Sequence, residues 1–156
     1  MFAVPQTPMN SLTCLSACLA LLPMLSAQTP NPPATPTARL TSAVYEWDKM
    51  EPKPIPNGMR RALFDGATTT LNKLHCHITT LNPGERSGQP LKHLQEEVII
   101  VKEGTVEVNY DGHTQNAGAG SVIFFAAGAT TFLRNTSNAP VTYTVVYYYT
   151  PLTPKG

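Results

Sequence analysis

An all-β fold is predicted by three features of this 156-residue chain. Short runs of β-branched and aromatic residues recur at close spacing, turn dipeptides separate them, and no segment of useful length has helical periodicity. Fifteen prolines and ten glycines favour frequent turns over helices. Together these features favour an antiparallel barrel or sandwich in one domain.

The elements follow in order. "AVYEW" (Ala43 to Trp47) reads as the first strand, and "EPKPIPNG" as a turn-rich passage ending in Asn57-Gly58. "RALF" leads to the turn pair Asp65-Gly66. Thr68 to Leu81 reads as one long strand, with Leu74, Cys76 and Ile78 on one face and Lys73, His75, His77 and Thr79 on the other. Pro83-Gly84 breaks it, and "EEVIIV" runs up to Glu103-Gly104. "TVEVNY" and "HTQNA" flank Asp111-Gly112, the strongest two-residue hairpin signal in the chain. "SVIFF", "TTFLRN" and "VTYTVVYYYT" complete the set.

The start of the chain has a different character. Its first charged residue is Arg39, and Leu12 to Leu25 is apolar, followed by "SAQTP". Residues 1–27 are expected to be a secretory signal peptide cleaved after Ala27, which sends the protein to the periplasm or the medium. Pro23 and the short apolar run argue against stable membrane insertion. Residues 28–41, with "QTPNPPATPT", read as a Pro/Thr-rich linker because proline removes backbone donors. Residues 42–156 are the expected folded domain. Cys14 and Cys18 would leave with the signal, so Cys76 would remain alone as a small buried apolar residue without a disulfide partner. A net charge of +1 with 13% charged residues gives no electrostatic case for a nucleic-acid partner.

Two stretches carry a family resemblance. In "GQPLKHLQEEVIIVKEG", His93 precedes Glu97 by four positions, and Gly104 follows six residues after Glu97. In "GSVIFFAAGATTFLRN", Gly120, Gly128 and Asn135 stand at fixed offsets. These resemble the two motifs of the cupin superfamily, in the small, exported, single-domain bacterial form. The resemblance implies a jelly-roll barrel (a double-stranded β-helix). It also implies a centre of three histidines and one glutamate on Mn, Fe, Ni, Cu or Zn. In this chain Leu91 and Thr131 occupy the positions of two expected histidines, and Ala126 that of a proline. One residue has no lone pair and the other only a neutral hydroxyl, so the implied metal site is eroded to His93 and Glu97.

Two readings follow. In the favoured one the barrel is a small-molecule-binding module. Leu91, Thr131, Tyr147 and Tyr149 are then candidate pocket residues, and Glu97 and His93 a polar pair able to serve in proton transfer. In the alternative, His75 and His77 face inward and join His93 and Glu97 in a displaced metal centre, which would make the protein a dioxygenase, isomerase or hydrolase. Alternation places His75 and His77 on one face without saying which face is inside. A structural dimeric barrel is a further reading, and the resemblance implies a homodimer. Arg60, Arg61 and Arg134 are candidate anion binders more simply read as solvated charges. Phe124, Phe125 and Phe132 are expected in the core, Glu96 outside, and His113 in an exposed turn. Asn135-Thr136-Ser137 is a chance match to a glycosylation sequon.

Overall fold

The computed structural model describes Ala3 and residues 38–154. The expected signal peptide apart from Ala3, with Cys14 and Cys18, and residues 28–37 of the linker lie outside the described residues. Ten strands follow one another: β1 (Lys53–Ile55), β2 (Gly58–Gly66), β3 (Lys73–Leu81), β4 (Leu91–Lys92), β5 (Glu97–Glu103), β6 (Thr105–Tyr110), β7 (His113–Gly118), β8 (Val122–Phe125), β9 (Thr130–Arg134) and β10 (Val141–Tyr149). They form a six-stranded sheet ordered β1-β2-β3-β10-β5-β8 and a four-stranded sheet ordered β4-β9-β6-β7. Every pairing is antiparallel. The expected all-β jelly roll is the observed fold.

The core fills the space between the sheets. Leu81, Ile99, Val101, Val141 and Tyr143 from one sheet meet Val106, Val108 and Leu133 from the other, all nearly or fully buried. Most turns are where local chemistry places them, but the expected turn pair Asp65-Gly66 is instead the end of β2, paired with His75 and Leu74 of β3. Asp111 (φ 45°) and Gly112 (φ 82°) both adopt left-handed conformations, which lets two residues join β6 to β7 with the twist a hairpin needs. Gly104 turns β5 into β6 at φ 78°, and a Cβ there would lie 3.1 Å from the Pro140 carbonyl oxygen. Asn135 is fully buried and ties three segments together. Its amide nitrogen donates to the carbonyls of Leu81 and Ala139, and its oxygen accepts from the Ser137 amide and hydroxyl. The sequon match therefore falls on an asparagine with no free side-chain valence.

Two expected strands differ. "AVYEW" is not a strand: it is irregular up to a single 3₁₀ turn, Trp47–Lys49. Its aromatic residues pack on a sheet face, not along a sheet edge. Tyr45 leans on Phe64 at 5.6 Å between ring centroids, and Trp47 lies between Arg61 (4.3 Å) and the Lys102 ammonium (3.2 Å). Arg61 and Lys102 belong to β2 and β5, which flank β3 and β10, so Trp47 spans the outer face of the large sheet. Cys76 and Ile78 on that face are buried. The strand expected from Thr68 begins only at Lys73. Thr68 Oγ1 accepts from the amides of Thr70 and Leu71 at 3.2 and 2.9 Å, closing a local turn in place of a ladder. Farther along the same outer face Ile100, Val122 and Phe124 are exposed, so Phe124 departs from its expected place in the core.

Candidate functional site

The inner face of the large sheet carries the polar residues in registered rows. Asp65, His75, Tyr147, Glu97 and Phe125 lie across five neighbouring strands, and Ala62, His77, Val145, Ile99 and Ile123 form the next row. Because alternate residues of a strand share a face, His75 and His77 turn towards the small sheet together with Tyr143, Tyr147 and Glu97. The apolar alternates Leu74, Cys76 and Ile78 take the outer face. A cavity of about 420 Å³ opens between the sheets. Its lining includes Arg60, His77, His93, Glu97, Thr131 and Tyr143.

The polar side chains form two separate pairs. On β3, His75 Nε2 and His77 Nδ1 are 2.9 Å apart, one donating to the other. The His75 ring stacks on Tyr147 at 4.4 Å and 10°, and its Nδ1 lies 3.4 Å from Asp65 Oδ2. Asp65 is held in turn by Lys73 at 3.0 Å, and that hydrogen bond keeps its carboxyl below the usual range. Burial pushes His77 down to about 4, helped by the positive charge of Arg60, so its ring is neutral at pH 7.

The second pair joins a loop to β5. His93 precedes β5, and its carbonyl accepts the Gly128 amide at 2.7 Å. Its Nδ1 lies 3.3 Å from the Gln95 amide nitrogen, a donor, and this contact favours the tautomer with the ring proton on Nε2. Nε2 is 4.0 Å from Glu97 Oε2. Burial raises Glu97 to about 7 and lowers His93, so desolvation drives both partners towards their neutral forms. The contact is a carboxyl beside a neutral imidazole more than an ion pair.

A cupin-domain family model matches residues 77–147, the span from His77 to Tyr147. The chain contains a cupin domain. Solved structures agree on this fold. An RmlC-like cupin from Shewanella frigidimarina superposes with a TM-score of 0.58 at 18% identity, over 72% of this chain and 95% of the other. A predicted oxalate decarboxylase from Thermotoga maritima gives 0.59 at 20% identity, over 69% and 99%. A cupin-superfamily sugar phosphate isomerase from Silicibacter pomeroyi gives 0.56 at 22%, over 70% and 77%. No curated protein matches the chain in sequence.

The metal that cupins often carry can be tested against the residues of this barrel. The two positions expected to be histidine fall on a single cross-strand pair, Leu91 opposite Thr131. Both line the cavity, and neither offers an imidazole. His75 and His77 face inward, as the displaced centre requires, but they use one nitrogen each on one another. Among the described residues no group of three or more histidine, cysteine, aspartate or glutamate side chains gathers closely enough to hold an ion. The four-donor centre expected in the alternative reading is not assembled: His75 and His77 lie on β3, Glu97 on β5 beyond β10, and His93 in the loop before β5.

Of the other expected pocket residues, Tyr147 lines the cavity and Tyr149 does not. Tyr149 lies at the strand end opposite Lys73, edge-on to Tyr147 at 6.0 Å. Phe125 and Phe132 contribute to the wall. Arg61 is taken up by Trp47 and the Met50 carbonyl, and His113 is an exposed hairpin residue beside Tyr110. Arg60 is the arginine that reaches the cavity. Sequence reasoning gave Gln95 and Asp65 no part in the site. Gln95 is buried beside His93, and Asp65 meets His75 only through strand pairing.

Proposed function

We propose that this cupin domain binds a small polar organic molecule inside its barrel, after erosion of the family's metal centre. The observation that carries the reading is the cavity itself. It is large enough for a metabolite, walled on one side by tyrosine and phenylalanine rings, and supplied with separate polar groups in place of a converged ligand set. Glu97, balanced near pH 7, can donate or accept a hydrogen bond, and the neutral His77 and His93 rings do the same at fixed positions. The similar structures named for oxalate and for a sugar phosphate are named for compounds of this polar, oxygen-rich kind. The apolar leader supports placing the protein outside the cytoplasm.

The same reading includes a homodimer. Ile100, Val122 and Phe124 stand exposed on the outer face, beside the free edge of β8, and an antiparallel edge can pair with its own copy about a two-fold axis. Binding is tested by following backbone amide NMR shifts of the full chain against sugars, hydroxy acids and small dicarboxylic acids. Shifts clustering at His77, Tyr143 and Val145 are expected. Shifts confined to the outer face, or absent with every compound, would sink the binding reading.

A further inference from the structure

The geometry points to a more specific ligand: a hydroxycarboxylate, with its hydroxyl donating to His77 Nε2 and its carboxylate on Arg60. This inference rests on the binding reading and adds the chemical class.

The first half follows from a chain of hydrogen-bonding atoms. A carboxylate can only accept, so Asp65 Oδ2, 3.4 Å from His75 Nδ1, favours the His75 tautomer with its proton on Nδ1. In that neutral ring Nε2 is the acceptor. His77 Nδ1, 2.9 Å away, must then be the donor. A neutral imidazole carries one proton, so His77 Nε2 is left as a lone pair on the ring that lines the cavity. His75 Nδ1 is the single buried side-chain polar atom without a hydrogen-bond partner among the described residues, and Asp65 is the group that faces it. Stacking on Tyr147 fixes the His75 ring plane, while Lys73 anchors the carboxylate. Asp65 and His75 are positioning residues; His77 is the group that meets the ligand.

The second half follows from register. Arg60 pairs with Thr79, and Ala62 with His77, so Arg60 and His77 are diagonal neighbours on adjacent strands. Such neighbours stand roughly 7–8 Å apart, a span that a long guanidinium side chain shortens to the separation of a carboxylate from a nearby hydroxyl. Arg60 forms no ion pair among the described residues, although it lines the cavity. A free guanidinium beside a fixed acceptor selects a ligand that is anionic at one end and a hydrogen-bond donor a few atoms away. The aromatic wall of Phe125, Tyr143 and Tyr147 accommodates the apolar remainder.

Three matched probes test this with the full chain: 3-phenyllactate, 3-phenylpropanoate, which lacks the hydroxyl, and 3-phenylpropane-1,2-diol, which lacks the carboxylate. Dissociation constants come from amide NMR titration. The His77 tautomer is read separately from long-range ¹H–¹⁵N correlations of the imidazole. We expect 3-phenyllactate to bind at least about tenfold tighter than either partner, one good charge-assisted contact being worth that much. Arg60→Gln should bring its affinity down to that of the diol. His77 should carry its proton on Nδ1, and His75→Phe, which keeps the stack, should abolish that preference. Equal binding of all three probes, or a His77 proton on Nε2, would overturn the hydroxycarboxylate inference and leave the binding reading standing. No shift with any probe or any compound of the wider panel would remove both.

Discussion

The two polar pairs in this barrel are built in opposite ways. His75 and His77 sit on one strand, bonded to each other and backed by Asp65, Lys73 and Tyr147. His93 and Glu97 come from a loop and the following strand, 4.0 Å apart, each neutralised by loss of water more than by its partner. The pair that matches the family motif is thus the looser one, and the pair outside the motif is the more tightly held. In this chain the motif's glycines and its buried asparagine stand beside two polar pairs placed on different segments of the barrel.

The contrast has a consequence for stability against pH. Glu97 is raised from 4.5 to about 7, so the folded state holds a proton that the unfolded chain has released, and stability falls as pH rises from about 4.5 to about 7. His77 is lowered from 6.5 to about 4, so the unfolded chain takes up a proton that the folded state refuses, and stability rises over about 4 to 6.5. The slopes oppose one another where they overlap, and the wild type should be nearly flat there. Glu97→Gln should remove the falling limb and raise stability above pH 7 by on the order of 3 kcal/mol. Chemical denaturation between pH 4 and 8 measures this. A variant curve parallel to the wild type would contradict the burial of Glu97.

His77→Gln gives the complementary result, of similar size but opposite sign. Its stability should fall from pH 4.5 to 7 in the same experiment, since the Glu97 limb then outweighs the smaller opposing contribution of His93. His75→Phe keeps the aromatic stack and loses the 2.9 Å bond, so it should cost about 1 kcal/mol at pH 7. A cost near zero would mean that the β3 pair is no more tightly held than the other. Phe124→Asp lies far from both pairs, so folding stability should change by less than about 0.5 kcal/mol. Sedimentation should nonetheless show a shift from dimer to monomer. A sedimenting mass that does not change would count against the edge-to-edge dimer.

Much of the fold was legible because its signals are local. Asp111-Gly112 needs no partner to specify a hairpin, and the alternation of Lys73 to Leu81 fixes which residues share a face. The inside of β3 was not legible, because both alternate sets end up covered: the histidines by the small sheet, Cys76 and Ile78 by the outer layer that includes Trp47. "AVYEW" misleads for a related reason, since alternation looks the same in a paired strand and in a segment lying across a sheet. The candidate site was legible where it follows the motif, at His93, Glu97, Leu91 and Thr131. Asp65 was not, because it reaches His75 through a register shift between Ala62 and Phe64 that no local pattern announces. Gln95 likewise acquires its role only when its loop folds inward.

The most direct test of two separate pairs, as opposed to one metal centre, is the metal content of the purified full chain. The protein would be loaded in turn with Mn, Fe, Ni, Cu and Zn and then dialysed. Two pairs held apart, one on β3 and the other at the start of β5 beyond β10, predict retention far below one ion per chain, unchanged by His93→Ala or His77→Ala. About one ion per chain, abolished by either substitution, would contradict it and show that the pairs converge on a single ion.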